Sequence, residues 1–348
     1  MSLDRIGGIG HLALEQARLR DRLDVLGQQV STGRQGNSFT ALGQDVRRSL
    51  DLRVAIRRDD AYVAGAERAL ARTASAQTAL GRLQDIAGNV AAEALRARTM
   101  PASAIEALAQ AARAAMSEAA ALFNTQHAGE YLFAGSDLEG RPVPDGEAIL
   151  GGALATTIAA DVALLDETNA ATILADSATH ANDPATTPFS AFLEGPGLTG
   201  NRRSLQLADG ERVSLGILAN RDNGDAVTAA WGREMLRGLA LLAALTPDQV
   251  ASPQGLDTLL TGAHGILEGA ARGAAAEQGT LGAAEARIEA AAERHRDTLV
   301  ALRGQLASIE EVDLAAASAA MTELRTRLSA SYESLALLSR LSLSDFLR

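Results

Sequence analysis

The sequence predicts a mainly α protein: a long antiparallel helical rod with paired N- and C-terminal coiled-coil helices and a β-containing insertion domain. Three observations lead there. Apolar residues make up 47% of the chain and aromatics only 3%, so the core must be built of Ala, Leu, Val and Ile. Such small, helix-favouring side chains suit helices that approach closely. Heptad seams stand at both ends of the chain, and turn chemistry concentrates between residues 136 and 225.

The first seam is Leu12, Gln16, Leu19, Leu23, Leu26, Val30, at alternating spacings of four and three with one polar interruption. Ser31-Thr32-Gly33 and Gly36-Asn37 end it. From Asp45 to Thr99 no proline occurs, which predicts one or two helices longer than the usual globular range. Pro101 breaks that run, with Ser103 placed to cap an alanine-rich helix reaching about Gln126. In the middle, Leu205 and Leu207 precede Asp209-Gly210, and Val213, Leu215 and Ile217 follow it. Alternation on both sides of an Asp-Gly turn predicts a hairpin. Helix is expected again from an Asp225 cap past Trp231 to Leu245, with breaks at Thr246-Pro247 and Ser252-Pro253.

A second seam runs Leu281, Glu285, Ile288, Ala292, His295, Leu299, Leu302, Leu306, Ile309. Val312-Asp313 marks a restart, and Ala317, Met321, Leu324, Leu328, Ser331, Leu335, Leu338 form a third. Leu337, Leu341, Leu343, Phe346 and Leu347 lie outside that third seam. One partner helix cannot cover a helix so apolar around its circumference. The organisation that follows is a terminal coiled-coil assembly domain (1–38 with 313–348), a helical rod domain (39–135 with 226–312) and a β-rich outer insertion (136–225).

Composition narrows the function. The net charge is −11, every Lys/Arg position is Arg, and the arginines are spread among acids. That is a solvated helix face and offers no track for nucleic acid. No cysteine is present, which removes disulfides, thiolate metal sites and thiol catalysis. Met1-Ser2-Leu3-Asp4-Arg5 carries no apolar signal region, and no uninterrupted apolar stretch nears about 20 residues, so no membrane insertion is expected.

Chemistry is likewise not signalled. Gly8, Gly10, Ala13 and Gly195, Gly197, Gly200 match the dinucleotide glycine spacing without the strand and helix it requires. His11, His127, His180, His264 and His295 lie too far apart for a helical metal pair. Asn220 to Asp225 lacks the closing Glu of a calcium loop. The reading is of no enzyme, no catalytic residue, no metal and no cofactor. The candidate functional residues are instead apolar positions of the terminal helices: Leu12, Leu19, Leu23, Leu26, Val30, Met321, Leu324, Leu328, Leu335, Leu338, Leu341 and Phe346. Paired termini with surplus apolar surface favour contact with copies of the same chain.

Local strings add a resemblance. Gly129-Glu130-Tyr131-Leu132-Phe133-Ala134-Gly135 resembles a stretch of the hook–filament junction branch (hook-associated protein 3) of the bacterial flagellin family. Asp345-Phe346-Leu347 resembles that branch's ending, with Ser331-Tyr332 and Leu341-Ser342-Leu343 before it. Val312-Asp313-Leu314-Ala315 and Thr280-Leu281-Gly282-Ala283 with Arg287-Ile288 resemble helix starts of the whole family, and Ser31-Thr32-Gly33 fits it. Leu42-Gly43-Gln44-Asp45-Val46 departs from the family's Ser-x-Asp-Asp pattern and leaves the branch open.

The resemblance implies a flagellin-like structural protein of the extracellular bacterial flagellum, a junction subunit between hook and filament. It implies unfolded export by the flagellar type III apparatus with a chaperone. Partners would be copies of itself, a neighbouring hook-associated protein and flagellin. Filament flagellin itself is the alternative, and a cytoplasmic coiled-coil scaffold a remote one.

Overall fold

The computed structural model describes residues 3–36, 39–99, 101–199, 202–220 and 230–346. Within these, the side chains of 3–13, 39–41, 199, 335 and 338–346 lie outside the description. The protein is 76% helical, with long helices and, among the described residues, two small strand pairs, which makes it mainly α. Helices α1 (Leu3–Thr32), α2 (Val46–Ala97), α3 (Ala102–Phe123), α4 (Ala153–Ala163), α5 (Ala170–Asn182), α6 (Ala191–Glu194), α7 (Pro196–Thr199), α8 (Trp231–Ala243), α9 (Pro253–Glu310) and α10 (Leu314–Phe346) are joined by two antiparallel strand pairs. These are β1 (Gln126–His127) with β2 (Glu130–Tyr131), and β3 (Ser204–Ala208) with β4 (Glu211–Ser214). The chain divides into two compact units, Met1–Ala61 with Arg294–Arg348, and Tyr62–Glu293.

In the terminal unit, α1 stops where its turn residues stand. Gly33 takes φ +69°, a conformation costly for residues with a Cβ. The Asp313 carboxylate accepts the backbone N–H groups of Ala315 (2.9 Å) and Ala316 (3.1 Å), capping the orphan donors of α10. Between the two helices, the Gln35 amide donates to the Glu310 carbonyl (2.8 Å) and the Val312 amide to the Gly33 carbonyl (3.0 Å). This antiparallel bridge, Arg34 opposite Glu311, sets the end of α1 beside the start of α10, so the two helices pair in opposite directions.

The other ends of this unit come from α2 and α9. Glu310, 9% exposed, accepts from Arg53 Nε (2.9 Å), Arg53 Nη2 (2.5 Å) and Ser49 Oγ (2.6 Å). The Arg53 hydrogen bond holds its carboxyl below the usual glutamate range, against the opposing effect of burial, with Ser49 adding to the shift. His295 contacts Asp59 (2.9 Å), and Arg303 pairs with Asp60 (2.8 Å).

The second unit holds the larger core. Its few aromatics converge: Phe123 meets Phe133 and Phe189 edge-on, at 5.9 and 5.8 Å between centroids, and Trp231 at 5.6 Å. Edge-to-face contacts of this kind add to area burial. The string Tyr131–Ala134 is buried throughout. Its backbone pairs with the segment after β4, through Gly135 N–H to the Ile217 carbonyl (2.9 Å) and Ala219 N–H to the Phe133 carbonyl (3.0 Å). Gly135 has φ +65°, and a Cβ there would lie 2.3 Å from Leu218 Cδ2. Arg72, itself buried, ties α2 to this strand through Glu130 (2.9 Å) and the Tyr131 carbonyl (2.7 Å).

The hairpin forms at Asp209-Gly210, with Gly210 at φ +80°. Leu207, Val213 and Leu215 pack with Ala66 and Ala69 of α2 and Ala284, Ile288 and Ala291 of α9. The segment 136–225 is more helical than its prolines and glycines indicate. Its described residues hold α4 to α7 beside the β3–β4 pair, and Leu154, Ile158, Val162 and Ile173 join the core of α3 and α8.

Residues 146–163 are apolar enough over 18 residues to match a membrane span by composition. Gly152 is extended there (φ −68°, ψ 163°) and separates a 3₁₀ turn from α4. The α-helical part is then about 16 Å long, half of a hydrocarbon layer of about 30 Å. Its buried face packs on α8, so we read it as a core helix.

Smaller expectations shift as well. Pro101, not Ser103, occupies the cap of α3; proline fits there because no helical donor is needed at that point. α3 ends at Phe123, short of Gln126, because Gln126 pairs across to Tyr131. α8 begins at Trp231, and the expected Asp225 cap lies outside the described residues.

Candidate assembly surface of the terminal helices

The site is built from two seams read in opposite directions. Gln16 Nε2 donates to Ser331 Oγ at 3.1 Å, which sets the register. Because both seams alternate steps of four and three, the same register places Leu19 opposite Leu328, Leu23 opposite Leu324, Leu26 opposite Met321 and Val30 opposite Ala317. One turn along, Arg20 Nε donates to the Tyr332 hydroxyl (2.6 Å) and its guanidinium lies 5.3 Å from the ring centroid.

Burial shows what this pairing achieves. Gln16, Ala317 and Leu324 are buried, whereas Leu19, Leu23, Leu26, Val30, Met321 and Leu328 are only half-buried. Two helices offer each seam residue one facing neighbour, too few to exclude water. Leu14 (62% exposed), Val25 (51%) and Leu337 (61%) stay in solvent. The side chains of Leu12, Leu335, Leu338, Leu341 and Phe346 lie outside the described residues. The seven other candidate residues are brought together on one intramolecular seam.

Each polar interruption of the seams has a polar partner on the facing helix. Gln16 meets Ser331, His295 meets Asp59, and Glu285 meets Gln77 (3.4 Å). A buried polar group costs little only when paired. The sequence marks the interruptions; it does not show which residue answers each.

The other histidines whose side chains are described have structural partners: His127 with Ser75 (3.0 Å), His180 with Asp161 (3.1 Å), and His264 with the Ala91 carbonyl (3.0 Å). The Ser75 hydroxyl also contacts the Ala71 carbonyl (3.2 Å), which ties it to its own helix. Among the described residues no three His, Cys, Asp or Glu side chains gather as metal ligands would. Gly8 and Gly10 lie inside α1, so the glycine spacing there is helical sequence. Gly200 and residues 221–225 of the calcium-like string lie outside the described residues.

Fold and site define a mainly α protein whose first and last helices pair through coiled-coil seams. Residues 265–347 match the family model described as the bacterial flagellin C-terminal helical region. The matched stretch takes in most of α9 and all of α10. No curated protein matches the chain at a significant level.

Proposed function

We propose that the chain is a self-assembling axial subunit of the bacterial flagellum, whose terminal helices pack against copies of itself. The supporting observation is the half-covered seam: pairing α1 with α10 leaves Leu14, Val25 and Leu337 in water. At about 25 cal/mol per Å² of apolar surface, covering such side chains drives association. On this reading 1–38 with 313–348 form the assembly domain, 39–135 with 226–312 the helical body and 136–225 the insertion. Leu12, Leu335, Leu338, Leu341 and Phe346 belong to the same assembly surface.

Within the flagellum we place the chain at the hook–filament junction. The support is the Gly129–Gly135 string and the Asp345-Phe346-Leu347 ending. Flagellin proper is the second reading, favoured by the name of the matched carboxy-terminal region. The neighbours would be flagellin and another hook-associated protein, and the route outward the type III apparatus with its chaperone. Immunogold labelling separates the readings: a band at the hook tip supports the junction, and label along the whole filament overturns it. Replacing Leu324, Leu328 and Leu335 together by Asp is expected to block assembly while leaving secretion intact; normal assembly in that variant overturns the proposal.

A further inference from the structure

We propose that Gln16 and Ser331, with Arg20 and Tyr332 beside them, form a register lock that selects one antiparallel pairing of the terminal helices. The inference concerns pairing within one chain and holds whatever that chain assembles into. Leucine seams with a strict four-three repeat are self-similar every seven residues. Sliding α1 along α10 by one heptad would still set apolar residues against apolar residues almost everywhere. Packing alone therefore discriminates poorly between the native register and its neighbours.

The polar pair breaks that degeneracy. In the observed register the Gln16 amide, 8% exposed, donates to Ser331 at 3.1 Å. A slip one way sets Gln16 against Leu324; a slip the other way sets Ser331 against Leu23. Either leaves a buried polar group without its partner, which penalises the slipped state by about 5- to 150-fold in population. The same slip separates Arg20 from the Tyr332 ring and hydroxyl, now 5.3 Å and 2.6 Å away. The bridge of Arg34 to Glu311 fixes the near end of the pair. The lock sits about five turns further out and acts in addition to the bridge, at the far part of the pair.

The chain has no cysteine, so introduced thiols report register without background. In the full-length protein, Leu23→Cys with Leu324→Cys reads the native register, and Leu23→Cys with Ala317→Cys reads a one-heptad slip. Disulfide yields under mild oxidation are compared in the native background and in Gln16→Leu/Ser331→Leu. In the native background the in-register disulfide is expected to exceed the slipped one by about tenfold. The leucine background is expected to raise the slipped share several-fold while raising the thermal midpoint, because leucine packs better than the polar pair it replaces.

Ser331→Thr, which keeps the hydroxyl, is expected to retain the native ratio; this variant tests the lock even if the double replacement fails to fold. Equal yields of the two disulfides in the native background overturn the proposal. So does an unchanged ratio in the leucine background, or a slipped ratio in Ser331→Thr.

Discussion

Replacing Leu324 by Asp tests the terminal seam at its most buried described leucine. Leu324 is 9% exposed, and the observed register sets it opposite Leu23 in α1. The substitution forfeits about 2 kcal/mol of apolar burial. It also places a carboxylate against Leu23, the residue that this register sets across the seam. The carboxylate can lean towards water at the edge of a two-helix contact, which holds the added cost to about 1–2 kcal/mol rather than the full penalty of a buried charge. Together this is about 3 kcal/mol, or roughly a 150-fold loss of protection. Hydrogen exchange of the α1 amides in the full-length protein is the assay, because α1 loses its partner without being mutated itself. Arg325→Asp, on the exposed face next door, serves as the control and should change α1 protection by less than about twofold. If α1 in Leu324→Asp exchanges as slowly as in the control, the seam does not hold the termini together and the reasoning fails.

Three further outcomes follow from the same structure. Glu310→Gln keeps the Ser49 contact and loses the charge that holds Arg53. Solvent reaches Arg53, so the cost at neutral pH is about 1 kcal/mol by urea unfolding. Because the folded-state pKa of Glu310 is depressed, its contribution is present above the ordinary glutamate value of about 4.3 and is lost as pH falls through the folded value. The variant should accordingly show a shallower acid decline than the native protein over that window. Gly273→Ala would set a Cβ 2.3 Å from Trp231 Cβ, and a displacement cost of about 1–3 kcal/mol should appear as a lower midpoint together with a shift in emission of the single tryptophan. Asp313→Ala removes the cap of α10 and should cost about 1 kcal/mol in carboxy-terminal helix protection, with Asn restoring most of it.

The aromatic string near residue 131 carries a different lesson from the seams. As sequence it is a family resemblance; in the fold it is a buried segment whose Phe133 packs on Phe123, which also meets Phe189 and Trp231. A substitution there would unsettle the core of the second unit directly, so loss of function in such a variant is no evidence about neighbours in an assembly. Assembly is better probed on the terminal helices, where exposed Leu14, Val25 and Leu337 can be changed with little effect on the folded chain.

The sequence by itself determined the helices, because their signals are local. The heptad spacing of Leu19 to Val30 and Ala317 to Leu328, the stop at Gly33, the cap at Asp313 and the Asp209-Gly210 turn each depend on residues within a few positions of one another. Segment 136–225 was less legible, since α4 and α5 are short and amphipathic against partners that lie far away in sequence. Only the tertiary structure decided which polar residue answers which: Ser331 for Gln16, Asp59 for His295, Arg53 and Ser49 for Glu310. These partners are separated by hundreds of residues, and a polar group's need for a partner does not say where along the chain that partner stands.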